Sequence, residues 1–91
     1  MAHVAVIVRI FPEDIEIKHD ELLNRIEKSL PQGYSIKAWE EEPIAFGLKA
    51  LKILFLMPEE TEGGTEQLET TLSQIPGVSQ VEVLMVQRIS W

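Results

Sequence analysis

Two places in this sequence carry residues whose type and setting suggest work beyond packing. The first is the stretch Glu41 to Leu51, EEPIAFGLKAL, which sets an aromatic, Phe46, beside Gly47, just after Pro43 and the acids Glu40, Glu41 and Glu42. It falls where one strand should end and the next begin. A turn that only reverses the chain is usually short and polar. Phe46 therefore has two readings. It is a plug for the end of the core, the commoner fate of an apolar residue, or it is an aromatic anchor for a partner protein. The second place is Arg88. Seven of the eight basic residues lie at or before Lys52; only Arg88 follows, behind Glu59, Glu60, Glu62, Glu66, Glu69 and Glu82. A lone cation closing an acidic segment is either a surface residue or a charge with a task.

Conventional catalytic chemistry is not legible. The chain has no nucleophile elbow, no phosphate-cradling glycine loop and no paired His or Cys ligands. It contains no Cys, which removes disulfides and thiolate metal sites. His3 and His19 fall in different elements and read as surface histidines. The carboxylates are expected on loops and helix faces as solvating charges. No general acid–base pair can be named, so the expectation is a protein without bond-making chemistry, metal or cofactor.

Composition narrows the partners. With 91 residues, one domain spanning 1–91 is expected, able to bury a modest core. The net charge of -7, from 8 basic and 15 acidic residues, disfavours nonspecific nucleic-acid binding and anionic membrane surfaces. It suits solubility and steering toward a basic partner face. The N-terminal apolar run is too short for a membrane span and lacks a basic leader or cleavage site, so the expected location is cytoplasmic.

The elements that must position these residues follow from periodicity. His3 to Phe11 (HVAVIVRIF) puts Val4, Val6, Val8 and Ile10 on one face, a central strand with His3 and Arg9 on its less buried side. A turn from Pro12 to Glu16 leads to a helix from about Ile17 to Leu30, with Leu22, Leu23, Ile26 and Leu30 as its apolar stripe and Glu21–Arg25 as an i,i+4 pair. Tyr34 to Glu41 alternates as a second strand, with Trp39 on the face opposite Ile36, covering the sheet or touching a partner. Gly47 to Met57 is a third strand, apolar on both faces in its second half and therefore central. An acidic loop through Gly63-Gly64 precedes a helix over Thr65 to Ile75, with Thr65 as its N-cap. Val78 to Trp91 is the last strand, with Val81, Val83, Met85 and Ile89 on one parity and Leu84, Val86 and Arg88 on the other. The order βαββαβ with right-handed crossovers gives an α+β, ferredoxin-like sandwich: a four-stranded antiparallel sheet with two helices on one face and the first and third strands central. The uncovered face would carry Arg9, Lys37, Trp39, Lys52 and Arg88.

Beside this reading stands a resemblance. Pro43-Ile44-Ala45-Phe46-Gly47-Leu48-Lys49-Ala50-Leu51 is similar to the proline–isoleucine–glycine–aromatic–glycine run, followed by an aliphatic and basic residues, of the guanine-nucleotide exchange domain family of elongation factor 1-beta and -delta. The tail GVSQVEVLMVQRI, Gly77 to Ile89, resembles the family's closing valine-rich strand, and Gly63-Gly64-Thr65-Glu66 fits its free-standing archaeal form. The resemblance covers nearly the whole chain. It implies a ferredoxin-like domain that binds elongation factor 1-alpha holding GDP and speeds GDP release so that GTP can enter. It implies that Phe46 packs against the GTPase near its switch region, with Pro43, Ile44, Ala45, Gly47 and Gln87 as further partner contacts. It implies that Arg88, standing where eukaryotic members carry a lysine near the C-terminus, acts at the partner's magnesium site. Ser90 and Trp91 extend past the usual eukaryotic end. A second reading of the residues is a small-ligand-sensing domain of the same fold that dimerises; no glycine-rich ligand turn follows the first strand to support it. An RNA-binding sheet is disfavoured by the charge and by the lack of paired aromatics on the central strands.

Overall fold

The computed structural model describes residues 2–45, 47–58 and 65–90. Phe46, Gly63-Gly64 and Trp91, each singled out above, lie outside the described residues. Six elements follow in the order β1 (Ala2–Pro12), α1 (His19–Ser29), β2 (Ser35–Ala45), β3 (Leu48–Pro58), α2 (Glu66–Ser73) and β4 (Val78–Ser90). The strands form one sheet in the order β2-β3-β1-β4, with every neighbouring pair antiparallel. This is the expected ferredoxin-like arrangement, with β1 and β3 central.

The central strands obey their periodicity. Val6, Val8 and Ile10 of β1 and Leu51, Ile53, Phe55 and Met57 of β3 are buried together with Leu22 and Ile26 of α1 and Leu68 and Leu72 of α2. Both helices therefore pack on one sheet face. The register explains the match: Val6 stands opposite Phe55, Val8 opposite Ile53 and Ile10 opposite Leu51, and directly opposed residues share a face.

Local chemistry sets the helix ends. α1 begins at His19, later than the apolar pattern suggests. Asp14 takes the preceding backbone into a turn, accepting from Glu16 N through Oδ1 at 3.0 Å and from Ile17 N through its carbonyl at 3.3 Å. These local bonds compete with helix formation. Lys18 is extended and supplies the first carbonyl, to Leu22 N at 3.0 Å. The helix stops where Pro31 forces Leu30 out of the α region, at ψ 136. Thr65 precedes α2 but makes no side-chain cap hydrogen bond, against expectation; it sits in the αR region, where the side chain is not set as in a usual N-cap. The Glu21–Arg25 pair forms at 2.7 Å, and Arg25 also donates to the Pro76 carbonyl at 2.8 Å. Gly77, at φ +98, turns the chain into β4 beneath that guanidinium.

The edge strands depart from simple alternation. β2 runs on through Pro43 to Ala45 instead of ending near Glu41. An edge strand tolerates proline because one of its sides has no ladder to lose. β2 carries one extra residue, Lys37, between the pairs Ile36–Phe55 and Ala38–Leu54. β4 carries another, Leu84, between Val83–Val8 and Met85–Ile7. One inserted residue reverses the parity of everything beyond it. Trp39 therefore lies opposite Ile53, on the helix-bearing side, and not on the uncovered face. Arg88 lies opposite Val4, also on the helix-bearing side, and Met85 is moved to the uncovered face.

Candidate functional site

The β2–β3 hairpin end gathers the central motif. Pro43 stands opposite Lys49 and Ala45 opposite Leu48, with Ile44 as an extra residue between them. Pro43, Ala45 and Gly47 are exposed and Ile44 is 42% exposed. Gly47 sits at φ +80, and a Cβ built on it meets nothing within 4 Å. The turn thus projects into open space, and its left-handed residue is the type that adopts such a φ at least cost. Phe46 occupies the position between Ala45 and Gly47, outside the described residues.

The acids before the motif are bonded, not merely solvated. Glu40, Glu41 and Glu42 alternate across β2. Glu40 lies 3.7 Å from Lys52 Nζ, and Glu42 accepts from Arg9 Nη2 at 2.8 Å on the uncovered face. Arg9 also donates through Nη1 to Glu82 of β4 at 2.7 Å. Since β3 separates β1 from β2, this one guanidinium braces the sheet from β4 to β2. On the helix-bearing face, Glu41 contacts His19 Nδ1, and His19 Nε2 faces the Lys49 carbonyl at 3.3 Å. His19 is thus more enclosed than the surface histidine expected from sequence: its side chain is 12% exposed. Between the β1–α1 loop and the hairpin lies a cleft of about 410 Å³ lined by Pro12, Ile15, His19, Glu41, Leu48 and Lys49.

Arg88 and Gln87 are elsewhere. Arg88 pairs in register with Val4 and Gln87 with Ala5, in the row of β3 residues Met57 and Leu56. Lys49 and Met57 are eight positions apart along β3, which at about 3.3 Å per residue is ~26 Å. The structure brings Pro43, Ile44, Ala45 and Gly47 together and sets Gln87 and Arg88 at the far end of the sheet, side chains on opposite faces.

Most of the chain matches one family. Residues 5–89 fit the model of the EF-1 guanine nucleotide exchange domain. The chain belongs to the EF-1 guanine nucleotide exchange domain family. A protein named elongation factor 1-beta from Desulfurococcus amylolyticus is 62% identical over 90 residues, covering 99% of this chain and 100% of the relative. Its namesake from Staphylothermus marinus is 58% identical over 90 residues, with the same two coverages of 99% and 100%. Among solved structures, the C-terminal domain of the MgtC protein from Mycobacterium tuberculosis superposes with a TM-score of 0.58 at 20% identity, over 90% of this chain and 85% of that one. That likeness is one of fold.

The stretch matched to the exchange-domain family includes both the hairpin motif and Arg88. What reasoning from sequence missed was the set of side chains that brace the hairpin: Arg9, His19, Glu41 and Glu42. The sequence pointed away from the pairing of Arg9 with Glu42: Glu40 and Glu42 share the parity of Ile36, and they reach the uncovered face beside Lys52 and Arg9 only because Lys37 is inserted between them and Ile36. His19 gave no signal, because its contact depends on where α1 starts.

Proposed function

We propose that this exchange-domain protein acts on elongation factor 1-alpha, promoting replacement of GDP by GTP and so regenerating the form that takes up aminoacyl-tRNA. The observation that carries the reading is the full-length similarity to proteins named elongation factor 1-beta; the projecting turn at Gly47 supports it. The factor works by differential binding. It prefers the nucleotide-free GTPase over the GDP-bound one, and linkage requires that it lower nucleotide affinity to the same degree. No covalent bond is made or broken.

Two ends of the sheet divide the labour. Phe46, between Ala45 and Gly47 in the sequence, supplies an aromatic anchor, with Pro43 and Ile44 as apolar neighbours. At the other end Arg88, with Gln87 beside it, places a cation where it opposes the divalent ion that holds the partner's bound phosphates. A guanidinium is planar and spreads its charge, so it competes less as a point charge than an ammonium would and more as a fork of donors toward phosphate or carboxylate. With ~26 Å between the ends, one GTPase is gripped at two separate places. This function belongs in the cytoplasm, where translation factors and their GTPases meet.

The test is release of a fluorescent GDP analogue from the cognate GTPase with magnesium present. Substoichiometric protein is expected to accelerate release with turnover. No acceleration of a demonstrably active GTPase overturns the proposal.

A further inference from the structure

The acidic run Glu40-Glu41-Glu42 reads in sequence as surface charge, yet its members bond to three different elements: Glu40 to Lys52 of β3, Glu41 to His19 of α1, and Glu42 to Arg9 of β1. Because neighbours on a strand point to opposite faces, Glu41 is held from the helix-bearing side while Glu42 is held from the other. Both lie immediately before Pro43. His19 adds a second hold on the same hairpin, since its Nε2 faces the carbonyl of Lys49, the residue opposite Pro43. Carboxylate and carbonyl oxygens only accept, so each contact is a hydrogen bond when the ring nitrogen that faces it carries a proton.

We infer that Glu41 with His19, and Glu42 with Arg9, are positioning pairs that fix the direction in which the β2–β3 hairpin presents its motif to the partner. The inference rests on the exchange reading for its consequence in GDP release, but not for its structural content. The hairpin end needs such holds. It belongs to an edge strand, its ladder is interrupted by the extra residue Ile44, and a Cβ added at Gly47 would meet nothing within 4 Å among the described residues. Exposed ion pairs add little to global stability. Two pairs pulling from opposite faces nonetheless restrict the end of an edge strand, and a partner that needs one orientation then loses less freedom on binding. Neither pair belongs to the residues proposed to contact the partner.

Each truncation leaves the remaining side chain another hydrogen-bond partner. In Glu42→Ala, Arg9 keeps Glu82; in Glu41→Ala, His19 keeps the Lys49 carbonyl. Both variants are therefore expected to fold. The experiment pairs amide hydrogen exchange with GDP release from the cognate GTPase, on the full chain. In the double variant Glu41→Ala/Glu42→Ala, amides of the hairpin end near Leu48 and Lys49 should exchange at least about fivefold faster, while those of Val6 and Phe55 in the core are unchanged. The concentration giving half-maximal release should rise about three- to tenfold with the maximal rate retained. The same truncation in a Phe46→Ala background should add almost nothing, because there is no anchor left to orient. Unchanged hairpin exchange overturns the inference, as does a loss of equal size with and without Phe46. A wild-type protein that fails to accelerate GDP release sinks the function proposed above and leaves the hydrogen-exchange result to decide this inference alone.

Discussion

Pro43 and Arg88 lie at opposite ends of the same sheet: Pro43 is opposite Lys49 at the start of β3, and Arg88 is in the row of Met57 near its end. No side chain bridges ~26 Å, so in the proposed mode of action the two ends contact the partner separately. Sites this far apart and without shared partners add in free energy to within roughly 0.5 kcal/mol. Phe46→Ala is expected to weaken the factor by about 2 kcal/mol, the scale of an interface hot spot, or roughly 30-fold in half-saturating concentration, with little change in unfolding midpoint. Phe46→Ala/Arg88→Ala should show the product of the two single effects. A large stability loss in Phe46→Ala with exchange intact would assign the aromatic to the core.

Arg88 is expected to matter at a different step. If its charge opposes the partner's magnesium, Arg88→Ala should slow GDP release at saturating factor more than it weakens complex formation. The deficit should shrink as free magnesium is lowered, because the ion then holds the nucleotide less firmly without help from the factor. Arg88→Lys should keep only part of the activity, since the cation is retained but the fork of donors is lost. Stopped-flow release across a magnesium series measures this. A deficit independent of magnesium would confine Arg88 to binding.

How far the sequence reveals this structure depends on the strand. β1 and β3 are read correctly because each pairs without insertion with the other, so Val6, Val8 and Ile10 meet Phe55, Ile53 and Leu51 as alternation says. β2 and β4 are read correctly only as far as their extra residues. In β4 a trace was visible: Val83, Leu84, Met85 and Val86 are four apolar residues in a row, which breaks strict alternation and fits an insertion. In β2 nothing marks Lys37, since SIKAWEEE alternates acceptably on its own; the insertion is a property of its pairing with β3. The motif was legible as sequence, whereas its brace was not. Arg9 reaches Glu42 across a whole strand, and no spacing along the chain encodes that contact.

The displaced face of Trp39 has a measurable consequence. Opposite Ile53 on the helix-bearing side, it lines a groove with Leu23 and Tyr34 and is 46% exposed. Its buried half contributes to stability, so Trp39→Ala should cost about 2 kcal/mol in urea unfolding, from the apolar area returned to water. It stands apart from both proposed contact ends, so GDP release per folded molecule should be unchanged. Reduced release with unaltered stability would make this side of the sheet part of the partner surface.

Two glycines separate folding from presentation. Both Gly47 and Gly77 have positive φ, +80 and +98, so alanine at either carries a backbone cost of about 1–2 kcal/mol. Their surroundings differ. A Cβ at Gly77 would come within 3.1 Å of Arg25 Nη1 and 3.4 Å of Ile17 Cδ1, beside the bond from Arg25 to the Pro76 carbonyl, whereas a Cβ at Gly47 meets nothing. Gly77→Ala should therefore lose the more stability in urea unfolding, by up to about a further 1 kcal/mol if that hydrogen bond is given up, and should leave exchange per folded molecule intact. Gly47→Ala should lose less stability and yet raise the half-saturating concentration, because the strain falls on the turn that presents Phe46. If Gly47→Ala exchanged nucleotide as well as wild type, the turn's geometry would be irrelevant to the partner, and the projecting hairpin would lose its place in the proposed mechanism.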